Sequence, residues 1–146
     1  MKNLIKNMAL AIALANAATA LADRAHAADL TVEVKNISKT DGNIMIAVYD
    51  KAEGFLSEEG MKMGMKLRAD TAGVSHTFTG LDAGTYAVSV FHDLNADGEL
   101  DSNFLGIPEE PVGMSRDARG RFGPPKFKDA AFKLSVEGGK QKIYLN

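Results

Sequence analysis

The sequence predicts an all-β fold: a single antiparallel β-sandwich of about seven strands with one long ordered loop. Apolar and polar residues alternate with a period of two in several short segments, and Gly-, Asp- and Asn-rich turns separate those segments. Few stretches have helical periodicity. Because no linker or internal repeat interrupts this pattern, we expect one domain over residues 28–146.

The predicted strands follow this alternation in chain order. Leu30, Val32 and Val34 alternate with polar residues, which is typical of a half-buried strand. A turn at residues 39–43 leads into residues 44–49, where both faces are apolar enough for a central strand. The pattern places the remaining strands at residues 66–68, 74–78, 86–91, 131–136 and 141–145. The turn Leu81-x-Ala83-Gly84-Thr85-Tyr86, which leads into the strand at residues 86–91, resembles that of the prealbumin-like sandwiches. This resemblance implies a prealbumin-like or immunoglobulin-like sandwich.

Residues 1–27 have the organisation of a secretory signal peptide. Lys2 and Lys6 precede an apolar run over residues 8–22, and the triplet Ala25-His26-Ala27 follows as a small-residue cleavage motif. Ala18-Thr19-Ala20 offers an earlier cleavage site. The run is too short to span a bilayer, so we expect no membrane span and a periplasmic or secreted protein. With no Cys in the chain, neither a lipid-anchoring thiol nor a disulfide is expected.

The charge balance argues against a nucleic-acid partner. Of the 17 basic and 19 acidic residues, three bases and one acid lie in the predicted signal peptide. The 119 residues that follow therefore hold 14 bases and 18 acids, a net charge near −4. Nucleic-acid-binding domains have the opposite balance, with a basic patch or stripe.

An acidic loop at residues 93–101 follows the strongest predicted strand. Its oxygen-bearing residues have the spacing of a calcium loop: Asp93, Asn95 and Asp97 at positions one, three and five, the Glu99 carbonyl at seven, and Asp101 at nine. Phe104 replaces the bidentate Glu of position twelve, so we expect calcium binding with a Kd on the order of 10⁻⁴ to 10⁻³ M. Asn103, Glu109, Asp117 or Asp129 is a candidate to complete the site. The alternative is a turn whose side chains bond only to their own backbone.

The connection over residues 102–130 is rich in Gly, Pro and Phe but has no regular period. Loops of this length are uncommon in compact domains unless they are functional or disordered. We expect its apolar residues, Phe104, Leu105, Ile107, Val112, Phe122 and Phe127, to be buried in a lid over one end of the sandwich. As a possible binding loop we select His92, Phe104, Arg116, Phe122 and Phe127, with an envelope or extracellular protein or glycan as the partner.

Two motifs resemble those of a bacterial exported family known as domain of unknown function 2141. The first runs His92-Asp93-Leu94-Asn95-x-Asp97-Gly98-x-Leu100-Asp101-x-Asn103-Phe104-Leu105-Gly106-Ile107-Pro108, and the second runs Gly123-Pro124-Pro125-x-Phe127-x-Asp129-Ala130. The chain has Ala96 and Met114 where the family often has Gly and Phe. The resemblance implies an exported protein and a site at this loop, but it implies no activity.

Two alternatives to a non-enzymatic binding module stay open. His92 and the neighbouring carboxylates would suit a small periplasmic enzyme, although a His at the end of a strand more often bonds to backbone. Met61, Met63 and Met65 would suit Cu(I) in an exported protein, although Met at a period of two is also typical of an edge strand that covers a core.

Overall fold

The computed structural model describes residues 27–146, so the predicted signal peptide lies outside the described residues except for Ala27. Eight strands dominate this part of the chain. The elements are β1 (Ala27–Lys35), β2 (Asn43–Tyr49), β3 (Met63–Arg68), β4 (Val74–Asp82), β5 (Gly84–Asp93), β6 (Val112–Met114), a 3₁₀ turn (Ser115–Asp117), α1 (Phe127–Ala130), β7 (Phe132–Leu134) and β8 (Gly139–Tyr144).

The strands form two sheets, which confirms the predicted all-β sandwich. The smaller sheet has the order β4-β1-β8, and the larger has the order β3-β2-β5-β6, with β7 paired to the beginning of β5. β1 and β8 pair in parallel, and the chain crosses from the larger sheet to the smaller sheet between β7 and β8. Val112 and Asn146 exchange two backbone hydrogen bonds and so join the two sheets at one side.

The hydrophobic core lies between the inward faces of the two sheets, as the alternation requires. Leu30, Val32 and Val34 of β1 are fully buried and belong to one cluster with the inward residues of β2 and β5. The facing residues of the larger sheet are Ile44, Ile46, Val48, Tyr86, Val88 and Val90. His92 follows at the same period of two, so the inward row of β5 ends in a buried polar side chain.

Several boundaries differ from the prediction. β4 and β5 are longer than expected and turn tightly around Ala83, where the Tyr86 hydroxyl donates a 2.8 Å hydrogen bond to the Asp82 carbonyl. The sequence pattern did not predict β6 or α1, since three or four residues are too few to establish a period. No helix among residues 27–146 is long and apolar enough to cross a membrane.

The methionine run divides between two environments. Met63 and Met65 lie in β3 and pack against the hydrophobic core. Met61 precedes the strand and is exposed. This arrangement favours the packing role of the two strand methionines, and copper binding stays a prediction.

Candidate ion-binding loop

The acidic loop is part of a connection that leaves and re-enters the larger sheet at the same place. It begins where β5 ends, and the chain returns to pair β6 with β5, with Phe91 opposite Val112. The His92 amide donates a 2.9 Å hydrogen bond to the Pro111 carbonyl. The base of the connection over residues 94–110 is therefore closed by backbone hydrogen bonds.

Two buried carboxylates hold the acidic loop in shape. The Asp93 side chain is 1% exposed, and its two oxygens accept hydrogen bonds from the Asp97 amide at 3.1 Å and the Gly98 amide at 3.0 Å. The Glu110 side chain is 6% exposed and accepts from the Leu94 amide at 2.7 Å and the Asp101 amide at 3.1 Å. Each carboxylate thus satisfies two loop amides, and Glu110 connects the beginning of the loop to its end.

Three of the predicted ligands converge on the exposed side of the loop. The Asn95 Nδ2 atom donates to Asp97 Oδ2 at 2.9 Å and to Asp101 Oδ2 at 2.8 Å. The other Asp97 oxygen accepts from the Glu99 amide at 2.9 Å. An amide group, the partially positive end of a neutral side chain, therefore lies between two carboxylates. Glu99 is exposed and contributes only its backbone amide to this network.

These contacts combine both predicted interpretations of the loop. Asp93 bonds to backbone amides, as a turn residue does, while Asn95, Asp97 and Asp101 form a cluster of polar atoms open to solvent. Among residues 27–146, no group of three or more His, Cys, Asp or Glu side chains is already positioned to hold a metal ion. Calcium binding at this loop stays a prediction.

Residues 102–108 form an ordered tip beyond the acidic loop. Asn103 organises it: its Oδ1 atom accepts from the Leu105 amide at 2.9 Å and the Ile107 amide at 3.1 Å, and its carbonyl accepts from the Gly106 amide at 2.9 Å. The Ile107 carbonyl accepts from the Asn103 amide at 2.9 Å. Ser102 and Pro108 form a β-bridge at the base of the tip.

The apolar side chains of this tip are exposed, so the predicted burial of the lid is wrong for them. Phe104 is 95% exposed, Leu105 68% and Ile107 56%. Asn103 fixes the tip through polar bonds alone, and no apolar contact is needed to order it. Phe122, on the later part of the connection, is fully exposed as well.

His92 is buried at the root of the loop. Its Nε2 atom lies 2.7 Å from the Asp41 carbonyl, and Nδ1 has no hydrogen-bond partner among the described residues. Because a carbonyl oxygen can only accept, Nε2 is the donor in this hydrogen bond. Because the side chain is 0% exposed, a solute cannot reach it without local opening. This geometry favours the backbone-bonded role over catalysis.

The structure does not bring the predicted binding-loop residues together. Phe104 extends from the Asp93 end of β5, whereas Ser115, beside Arg116, bonds to the Val88 amide near its middle. Five residues of strand separate those positions, roughly 17 Å. The Arg116 side chain donates a 3.2 Å hydrogen bond to the Ala131 carbonyl. The Phe127 ring packs edge-on against the Phe55 ring, with 5.7 Å between the ring centroids. Arg116 and Phe127 therefore contact residues outside the acidic loop and its tip.

Of the carboxylates considered as additional ligands, none lies in the network. Asp117 pairs with Arg119 at 3.2 Å, and Asp129 accepts from the Lys126 amide at 3.0 Å. Glu109 is exposed and contributes only its amide, which donates to the Asp101 carbonyl. Sequence reasoning missed Glu110. Its only sequence signal is its position just before the residues that return to the sheet.

Comparison with known proteins identifies a family but no characterised relative. The profile of a family described as an uncharacterised protein conserved in bacteria, domain of unknown function 2141, matches residues 32–143. No curated protein and no solved structure matches the chain.

Proposed function

Because the chain belongs to the domain of unknown function 2141 family, whose description assigns no activity, we propose a function from the geometry of the loop. The protein is an exported β-sandwich module whose acidic loop, residues 93–101, binds calcium weakly. The bound ion orders the tip at residues 102–108 for contact with a partner in the envelope or outside the cell.

The observation that carries this proposal is the position of the Asn95 amide group. It donates to carboxylate oxygens of both Asp97 and Asp101, within 2.9 Å of each. A calcium ion in the same place would neutralise both carboxylates, which a neutral amide cannot do. Rotation of the Asn95 side chain by half a turn would replace the amide nitrogen with oxygen and provide a third ligand.

The rest of the loop supports a cation at this position. Asp93 oxygens accept one amide hydrogen bond each and retain a second lone pair, and the Glu99 carbonyl stands at the seventh position of the calcium spacing. Calcium tolerates irregular oxygen coordination, whereas magnesium requires a nearly ideal octahedron. We therefore expect selectivity for calcium.

A thermal melt of the mature chain, residues 28–146, tests the proposal. It is recorded in chelator, in 10 mM calcium and in 10 mM magnesium. If Kd is about 10⁻⁴ M, calcium at a hundredfold excess adds about 2.7 kcal/mol to the free energy of unfolding. For a domain of this size the midpoint then rises by several degrees. An equal rise in magnesium, or none in calcium, would reject the site.

Two substitutions locate the ion. In Asp97→Asn one oxygen still accepts from the Glu99 amide, but the charge and the hydrogen bond from Asn95 are lost. Because residue 97 is exposed, water can replace the lost bond, so the calcium-dependent rise should shrink while the melt in chelator changes little. Asp117→Asn is the control, because that exposed carboxylate pairs with Arg119 away from the loop. A calcium response that survives in Asp97→Asn would place the ion elsewhere.

A further inference from the structure

The tip beyond the acidic loop has the properties of a lipid anchor, and we propose that it inserts into an anionic lipid surface to which loop-bound calcium bridges. Phe104, Leu105 and Ile107 are the side chains that enter the lipid. This inference rests on the proposed calcium site and names the partner of that site.

Several backbone amides of the tip are hydrogen-bonded within the tip. The amides of Leu105, Gly106 and Ile107 all donate to Asn103, and Pro108 has no amide hydrogen. Four consecutive residues therefore offer no free N–H group to water. Unsatisfied backbone groups are the main cost of placing a loop in an apolar phase, so these internal hydrogen bonds lower the cost of entering the bilayer interface.

The exposed side chains project from a narrow turn instead of lining a groove. Phe104 is 95% exposed and Leu105 68%, on a turn closed by the Ser102–Pro108 bridge. A lipid interface accommodates such a protrusion without a shaped pocket, and an aromatic with aliphatic side chains is the composition that buries favourably there.

Charge explains why calcium is required. Residues 92–115 contain six acidic residues and no Lys or Arg, so anionic lipid repels this end of the domain. Calcium held by Asp97 and Asp101 reduces that charge and leaves coordination positions for lipid phosphate oxygens. The calcium bridge and the inserted tip act together, because Asp101 also connects to the base of the tip: its carbonyl accepts a hydrogen bond from the Glu109 amide.

Vesicle sedimentation with the mature chain tests the inference. The probes are vesicles of phosphatidylcholine with one quarter phosphatidylglycerol, and vesicles of phosphatidylcholine alone, each in 10 mM calcium and in chelator. We expect binding to the mixed vesicles in calcium, and binding at least about tenfold weaker in chelator or to phosphatidylcholine alone.

The tip is examined with Phe104→Ser/Leu105→Ser, which alters only exposed side chains. This variant should bind mixed vesicles at least about tenfold more weakly and keep the calcium-dependent rise in melting temperature. Phe122→Ser is the matched control, because Phe122 is fully exposed and lies outside the tip at residues 102–108, and its vesicle binding should match the wild type.

The outcomes separate this inference from the calcium site. A calcium-dependent rise in melting temperature without vesicle binding overturns the lipid partner and leaves the ion site standing. Equal vesicle binding in calcium and chelator overturns the bridge, and unchanged binding of Phe104→Ser/Leu105→Ser overturns insertion. Loss of both the melting shift and the vesicle binding rejects the ion site as well.

Discussion

Glu110→Gln should destabilise the acidic loop more than any other single conservative change at an acidic residue of this connection. The buried Glu110 carboxylate accepts hydrogen bonds from the Leu94 and Asp101 amides. Gln has one acceptor oxygen, so its NH₂ group must face one of these two donors. Loss of one charge-assisted hydrogen bond, with a buried donor left unpaired, costs about 1.5–3 kcal/mol.

Two measurements separate local from global effects. Urea denaturation gives the global change, and a loss of 2 kcal/mol moves the midpoint by about 1 M if m is about 2 kcal/mol/M. Amide hydrogen exchange at Leu94 and Asp101 reports local opening of the loop. We expect faster exchange at both amides even if the loop opens without unfolding the sandwich.

Glu109→Gln is the matched control, since the adjacent Glu109 side chain is exposed and only its backbone amide bonds to Asp101. Its stability should stay within about 0.5 kcal/mol of the wild type. If Glu110→Gln behaves like Glu109→Gln in both measurements, the buried carboxylate does not hold the loop and this reasoning is wrong.

Two further changes test the backbone of the loop and the turn before β5. Ala96 has a φ of 60°, which is unfavourable for a residue with a Cβ, so Ala96→Gly should raise the free energy of unfolding, measured in urea, by about 0.5–1 kcal/mol. Gly98 has a φ of 86°, so Gly98→Ala should lower the free energy of unfolding. A change of the same sign in both variants would contradict this reasoning. Burial raises the pKa of Tyr86, whose hydroxyl donates to the Asp82 carbonyl. The protonated hydroxyl therefore stabilises the fold in full below the pKa of the unfolded chain, near 10, and this stabilisation is lost as the pH rises through the pKa of the folded state. Tyr86→Phe should cost about 0.5–1.5 kcal/mol at neutral pH and flatten the alkaline fall in melting temperature; an unchanged alkaline profile would refute the assignment.

The sandwich was predictable because its strands bury one face each. The alternation of Leu30, Val32 and Val34 with polar residues indicates the buried face of β1, and all three side chains are buried in the structure. Which strands pair with each other was harder to predict from the sequence. The parallel pair β1–β8 depends on where the chain crosses between sheets, and alternation within a strand contains no information on its neighbours.

The loop was predictable in composition but not in geometry. The spacing of Asp93, Asn95, Asp97 and Asp101 is local, and the structure brings the last three into one network. Glu110 reaches the loop from nine residues further along because β6 returns to β5, a pairing of three residues that no periodicity indicates. The apolar tip was misjudged for a related reason: the Asn103 hydrogen bonds order it without burial.

Because the base of the connection is closed by hydrogen bonds, calcium binding should change the free energy of local opening of residues 94–110 as well as that of global unfolding. The His92–Pro111 hydrogen bond and the β5–β6 pairing lie outside residues 94–110, so local opening of this segment need not break them. An ion that binds only the closed loop raises the free energy of this local opening by the same amount as that of global unfolding. If the free energy of local opening is smaller than that of global unfolding, the loop opens before the sandwich unfolds. Exchange protection at the Leu94 and Asp101 amides should therefore increase with calcium, and a rise in melting temperature without that protection would place the ion outside this loop.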